Sequence, residues 1–68
     1  MNKRSNKLLM NLVLGKKENL YTLMEMYNVQ DRSIRIDVKE LNRDLKKAKL
    51  PVILVEGNGD LVFDTKDP

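Results

Sequence analysis

The sequence predicts a small, mostly helical domain that closes with a β-hairpin. Three segments before residue 50 carry apolar residues at helical spacing. An apolar run at 52–55 is separated from a second run at 61–63 by a turn containing Asn58-Gly59, and this pattern is a strong hairpin signal. The 68 residues suffice for one domain with a thin core.

The composition excludes several classes of protein. The chain has no cysteine and no histidine, which removes disulfides, thiolate or imidazole catalysis and most zinc sites. With 41% hydrophobic and 34% charged residues, it is too apolar for a disordered chain and too polar for a membrane span. No signal-peptide pattern opens it. We therefore expect a cytoplasmic protein that is not an enzyme, needs no cofactor and contacts no membrane.

The first two helices are predicted from apolar spacing and from residues that cap or end helices. A first helix is expected from Asn6 to Leu14, with Gly15 ending it. Asn19 suits the N-cap of a second helix that ends near Tyr27.

A tight turn is predicted between the second and third helices. Asn28 tolerates left-handed backbone angles, Val29 is expected to point into the core, and Asp31 is expected to cap the third helix. Leu50-Pro51 ends that helix, because proline cannot continue the hydrogen-bond ladder.

The third helix, about Asp31 to Lys49, sorts its side chains by type around its axis at about 100° per residue. One stripe is apolar and comprises Ile34, Val38, Leu41, Leu45 and Ala48. The opposite side is basic and comprises Arg32, Arg35, Lys39, Arg43 and Lys46. The remaining flank is acidic and comprises Asp37, Glu40 and Asp44. Cations at successive turns repel one another mildly, so this pattern favours an external anion over local helix stability.

The net charge of +3 is unevenly distributed along the chain. Residues 1–50 hold twelve Lys and Arg against six Asp and Glu, whereas residues 51–68 hold one Lys against four acidic residues. The basic part favours an anionic partner such as nucleic acid, although a solvated, lysine-rich surface has the same composition.

The predicted order of helix, helix, tight turn, helix and hairpin is that of a winged helix-turn-helix with a two-stranded wing. The residues that carry a closer likeness are Leu23, Val29, Arg32-Ser33-Ile34, Asp37-Val38 and Leu41-Asn42. Through them, residues 4–63 resemble the N-terminal winged helix-turn-helix of bacterial sugar-operon regulators with phosphotransferase regulation domains, and also Mga-type and biotin-repressor-like domains. The departures from the family pattern are Met24 for a small residue, Gln30 for a serine cap, and an acidic wing with Glu56 and Asp60, which would repel phosphates.

The resemblance implies the DNA-binding domain of a transcription regulator of carbohydrate operons of the phosphotransferase system. Double-stranded DNA and C-terminal regulatory domains of the parent protein would be its partners, and a second copy of the chain is a further candidate. The domain is placed at residues 6–63, with a polar lead-in at 1–5 and a tail or the start of a linker at 64–68.

The third helix, residues 31–49, would then lie in the major groove with its N-terminal residues at the base edges. The base-edge candidates are Arg32, Ser33, Arg35, Ile36 and Lys39. Arg35 is the first choice, because a guanidinium can bond guanine O6 and N7 together. Ile36 fits either a thymine methyl or an ordinary exposed aliphatic position. The phosphate candidates are Arg43, Lys16, Lys17, Lys3, Arg4 and Lys7, of which all but Arg43 fit a solvated surface or a helix cap equally well.

The remaining polar residues are interpreted as structural, and no catalytic residue or metal ligand is predicted. Asp37 is expected to bond a neighbouring helix, and the acidic flank lacks a fourth ligand for a metal. The alternative function is a winged-helix protein-interaction module that does not read DNA, because the strand at 52–55 is apolar on both faces. RNA binding by an antiterminator is less favoured, since antiterminators with these regulation domains resemble a different, all-β module.

Overall fold

The computed structural model describes residues 3–65 of the chain. The elements are α1 (Lys3–Val13), β1 (Glu18–Asn19), α2 (Leu20–Tyr27), α3 (Asp31–Lys47), β2 (Ile53–Val55) and β3 (Asp60–Phe63). The strands form one antiparallel sheet in the order β1-β3-β2. The predicted fold class, three helices followed by a β-hairpin, is confirmed within these residues.

The first helix is longer at its start than the apolar spacing indicated. Residues 3–5 were expected in a polar lead-in, but they form the first turn of α1. Ser5 is fully buried and shares a helix face with Leu8 and Leu12, so a small polar residue extends the buried stripe where hydropathy gives no signal. The rest of the expected lead-in, residues 1 and 2, and residues 66–68 of the expected tail lie outside the described part of the chain.

All three helices end in the same way, with one residue in the left-handed region. These residues are Gly15 (φ 80°), Asn28 (φ 53°) and Lys49 (φ 59°). In each case the next amide donates to a carbonyl five residues earlier: Lys16 to Asn11 at 2.9 Å, Val29 to Met24 at 3.0 Å, and Leu50 to Leu45 at 2.9 Å. This is the Schellman pattern. Gly15 and Asn28 were predicted in these roles, whereas Lys49 was expected to be helical.

Of the two predicted N-caps, one is confirmed and one is wrong. The Asn19 side chain accepts hydrogen bonds from the amides of Tyr21 (2.9 Å) and Thr22 (3.4 Å). Asp31, by contrast, is the first helical residue of α3, and Gln30 occupies the cap position without a side-chain cap bond. Gln30 is extended, and its carbonyl already accepts the Ser33 amide at 3.0 Å, so the helix starts one residue earlier than an Asp31 cap would allow.

The predicted two-stranded wing is present as β2 and β3, and the sheet has a third strand, β1, that the sequence did not indicate. β1 pairs Glu18 with Leu61 and Asn19 with Asp60. Two residues are too short for a periodicity, and their pairing is set by a segment about forty positions later in the chain.

The predicted hairpin is present, with a turn that depends on Gly59. The Gly59 amide donates to the Glu56 carbonyl at 2.8 Å, and Gly59 itself has φ 93°. A Cβ at this position would lie 2.7 Å from the Tyr21 ring. Gly59 therefore serves both the turn and the close approach of the wing to α2.

The core lies between the three helices and the inner face of the sheet. Its buried apolar residues are Leu8, Leu12, Leu20, Leu23, Ile34, Val38, Leu41, Leu45, Ile53 and Leu61. Val29 packs against this cluster, as predicted. Ala48 of the predicted stripe is exposed, because α3 ends at Lys47 and Ala48 lies at its C-cap. Among residues 3–65, none of the helices has the length and apolarity that crossing a bilayer requires.

Candidate nucleic-acid interface

The candidate interface is the outward face of α3. Ile34, Val38 and Leu41 fix the helix against the core with one side, so the opposite side faces away from the protein. The side chains on that side are all exposed, and they are Arg32, Arg35, Ile36, Lys39, Arg43 and Lys46. We call this set the cationic face. It contains five cations along a helix of 17 residues.

Arg35 is the one cation of this face that pairs with a carboxylate one turn away. Its Nε lies 3.2 Å from Oδ2 of Asp31, and the two side chains are 52% and 47% exposed. The pair therefore stands at the solvent-facing start of α3, where a recognition helix meets base edges.

The C-terminal half of the cationic face borders a concavity of about 400 Å³. Its lining residues are Lys39, Asn42, Arg43, Lys46 and Val52, and no carboxylate is among them. Arg43 also lies 3.9 Å from Asp44 on the acidic flank, a distance at which an exposed pair contributes little. An anion in this concavity would meet three positive charges.

Asn42 sets the shape of this concavity by joining α3 to the edge strand β2. Its Nδ2 donates to the Ile53 carbonyl at 2.9 Å, and its Oδ1 accepts the Ile53 amide at 2.7 Å. Both outward backbone groups of Ile53 are thereby satisfied, as a neighbouring strand would satisfy them. Sequence reasoning placed Lys46 on the basic side of the helix without counting it as a phosphate contact, and it missed this role of Asn42. The spacing of Lys39, Arg43 and Lys46 at i, i+4 and i+7 was the available signal.

Ser33, a predicted base-edge residue, lies off the cationic face. It is half-buried and shares the acidic flank with Asp37, Glu40 and Asp44, which follow it at helical spacing. The structure therefore brings Arg32, Arg35, Ile36 and Lys39 together and separates Ser33 from them.

Arg4, a predicted phosphate contact, is paired with the buried carboxylate of Asp37. Its Nε and Nη2 both donate to the Asp37 carboxylate, Nη2 to Oδ1 at 3.2 Å. The hydrogen bond to Asp37 raises the pKa of the Arg4 guanidinium above its usual value, and the guanidinium also lies 6.0 Å from the centre of the Tyr27 ring. The prediction that Asp37 bonds a neighbouring helix is confirmed, and Arg4 is removed from the set of free cations.

The four other predicted phosphate contacts outside α3 are exposed lysines. Lys3 and Lys7 lie on α1, and Lys16 and Lys17 lie between α1 and β1. None of them lines the concavity beside α3, and their contact with phosphate stays a prediction.

The two wing carboxylates have different surroundings. Asp60 accepts hydrogen bonds from the side-chain amides of Asn19 (3.0 Å) and Asn58 (3.2 Å), which ties the turn to the start of α2. Glu56 is exposed at the hairpin turn. Within residues 3–65, no three acidic, histidine or cysteine side chains are grouped as a metal site requires.

Comparison with known proteins gives no relative for this chain, since no protein-family model, curated protein or solved structure matches it.

Proposed function

We propose that the chain binds double-stranded DNA by placing α3 in the major groove. The single observation that supports this best is the cationic face: five exposed cations on the side of α3 opposite its buried stripe. Neighbouring cations on a helix lower its stability by a few tenths of a kcal/mol per pair, so the arrangement has no local benefit. A polyanion gives it one.

The length of α3 indicates that its two ends would contact different parts of the DNA. Its 17 residues extend over about 25 Å at 1.5 Å per residue. The major groove is about 12 Å wide, so only part of the helix can lie between the backbones. Arg32, Arg35 and Ile36 at the N-terminal end would meet base edges, and Lys39 stands at the transition.

The C-terminal end of the cationic face would contact the DNA backbone. Lys39, Arg43 and Lys46 surround a concavity that lacks carboxylates, and a phosphate there would gain contacts without repulsion. Glu56 at the wing turn would instead be repelled by phosphate, so α3 rather than the wing would carry the affinity.

The resemblance to the sugar-operon regulators supports a finer proposal. The chain would be the DNA-reading domain of a bacterial, cytoplasmic transcription regulator of carbohydrate operons of the phosphotransferase system. Regulatory domains C-terminal to it would set when it binds, and pairing of two copies would supply two half-sites.

A salt titration of duplex binding tests the proposal. A groove reader with several phosphate contacts should lose affinity by about 10³-fold between about 50 and 200 mM salt. The variant Arg43→Gln with Lys46→Gln should bind more weakly to all sequences and show a salt slope smaller by about 2.

The matched control is Lys16→Gln with Lys17→Gln, which removes the same charge outside α3. This control should retain most of the affinity and most of the slope. Equal losses in the two double variants would show general charge attraction and contradict binding through α3.

Exposed apolar side chains favour the second candidate, a protein-interaction module. Leu54 on β2 is 41% exposed, and Met10, Val13 and Leu14 are 64%, 68% and 65% exposed at the end of α1. Such a module would give a flat or absent response in the salt titration of duplex binding. Its self-association through the exposed apolar side chains would be detected by sedimentation of the chain at several concentrations.

A further inference from the structure

We infer that Asp31 determines sequence specificity by holding Arg35 in position for a guanine. This inference rests on the proposed function, and it concerns Asp31, a residue to which that function gives no role. Asp31 would be a positioning residue, because it acts through the guanidinium of Arg35.

The first step of the argument is the side of the guanidinium that Asp31 occupies. The Asp31 carboxylate lies 3.2 Å from Nε of Arg35, which is the stem side of the group. A contact through Nε leaves the two terminal nitrogens, Nη1 and Nη2, as a fork that a base can bond. Guanine presents two acceptors, O6 and N7, side by side in the major groove, and this fork matches them.

The second step is what the ion pair does for an exposed arginine. The Arg35 side chain is 52% exposed, so without the contact to Asp31 it would sample many rotamers. Binding a base would then require the loss of that freedom, which lowers affinity. A carboxylate that restricts the guanidinium before DNA arrives makes part of that ordering unnecessary on binding.

The third step is the position of the negative charge. An exposed ion pair at i and i+4 contributes little to the stability of a helix, so helix stability gives little reason for the Asp31–Arg35 pair. Beside a surface that meets phosphates, a carboxylate lowers affinity for every sequence. Its presence at the start of the cationic face is explained if it improves the selection of one base more than it weakens binding overall.

The test is selection of sites from a duplex DNA pool of randomised sequence, performed in parallel with the full chain and its variants. The unaltered chain should prefer guanine at one position by about tenfold or more. Asp31→Asn, which keeps the shape and removes the charge, should reduce that preference to about twofold. The same variant should bind sequences lacking that guanine more tightly than the unaltered chain does.

Two further variants separate positioning from a general effect of charge. Asp44→Asn removes an equally exposed acid from the same helix, away from Arg35, and should leave the guanine preference unchanged. In an Arg35→Ala background, which itself lacks the guanine preference, adding Asp31→Asn should cause no further change in base preference, since the residue it positions is gone. Circular dichroism of each variant checks that the helix content of the chain is unchanged.

The outcomes distinguish this inference from the proposed function. If the unaltered chain selects guanine and Asp31→Asn selects it equally well, the positioning role is wrong and DNA binding by α3 stands. If Asp44→Asn reduces the preference as much as Asp31→Asn does, the effect is one of net charge, and the positioning role is again wrong. If no chain binds any duplex at low salt, the proposed function fails and this inference fails with it.

Discussion

Arg4 and Asp37 form the charged contact that joins the first and third helices. The Asp37 side chain is 3% exposed, whereas the Arg4 side chain is 26% exposed and lies beside the Tyr27 ring. A carboxylate this far from water is tolerated only with a counter-charge and hydrogen bonds. Asp37, one of the residues that carry the family resemblance, therefore serves the packing of the domain.

Replacement of Arg4 by methionine should lower the free energy of unfolding by about 3 kcal/mol, because it leaves the buried Asp37 carboxylate without the arginine that neutralises it. Urea denaturation followed by circular dichroism measures this. Lys7→Met, which removes an exposed cation from the same helix, should change the value by less than about 0.5 kcal/mol. Equal stability of the two variants would show that the ion pair does not hold α1 to α3.

Single residues also show where sequence reasoning stops. The outward placement of Arg32, Arg35 and Lys39 followed from helical spacing, which is a local property. The pairing of Arg4 with Asp37 joins residues 33 positions apart, and no local pattern specifies it. Arg4 was therefore counted among the free cations from its residue type alone.

At the scale of the elements, the helix boundaries are set by backbone chemistry that sequence reasoning captured in part. Asn19, Gly15 and Asn28 are residue types that favour a cap or left-handed backbone angles, and each occupies the predicted position. Lys49 adopts left-handed angles without any such preference, because the following Leu50-Pro51 must turn toward β2. Here the tertiary connection overrides the local tendency.

The left-handed backbone of Lys49 predicts that replacement by glycine has opposite effects on stability at positions 49 and 47. Lys49→Gly should raise the free energy of unfolding by about 0.5–1 kcal/mol, because glycine adopts these angles without the Cβ clash. Lys47→Gly, at the last helical residue of α3, should lower it by up to about 1 kcal/mol. Thermal unfolding of both variants measures the difference, and a loss of stability in Lys49→Gly would contradict the assigned backbone conformation.

In the sheet, local sequence patterns predicted two of the strands and missed the third. The hairpin of β2 and β3 was predicted from two apolar runs and Asn58-Gly59. The short strand β1 exists because the Leu20 amide reaches the Gly59 carbonyl at 2.7 Å and Glu18 pairs with Leu61. These pairings join residues about forty positions apart in the chain, so they leave no periodic pattern in the sequence.

At the scale of the whole molecule, charge is sorted by structural layer. The helices carry more cations than acids. The hairpin of β2 and β3 and the residues beside it carry Glu56, Asp60 and Asp64 and no cation among the described residues. The cationic face of α3 is thus free of acids except at its N-terminal end, where Asp31 stands beside Arg35. Under the proposed function, this division would turn α3 toward the polyanion and the acidic sheet end away from it.

The concavity beside Asn42 is also a property of the whole fold. It arises where the C-terminal half of α3 meets the start of β2, and Val52 forms its apolar wall. The sequence indicated the cations that line it, but the junction itself depends on the two hydrogen bonds between Asn42 and Ile53. The candidate site was therefore predictable as a helix face and not as a shaped surface.

The most direct test of binding through α3 is amide chemical-shift mapping of the isotopically labelled chain during titration with duplex DNA at low salt. We predict that the largest shift changes fall on residues 32–46 of α3, at the exposed positions of the cationic face, with smaller changes on α1. Changes concentrated on the exposed apolar end of α1 or on β2, with α3 unaffected, would contradict the central claim.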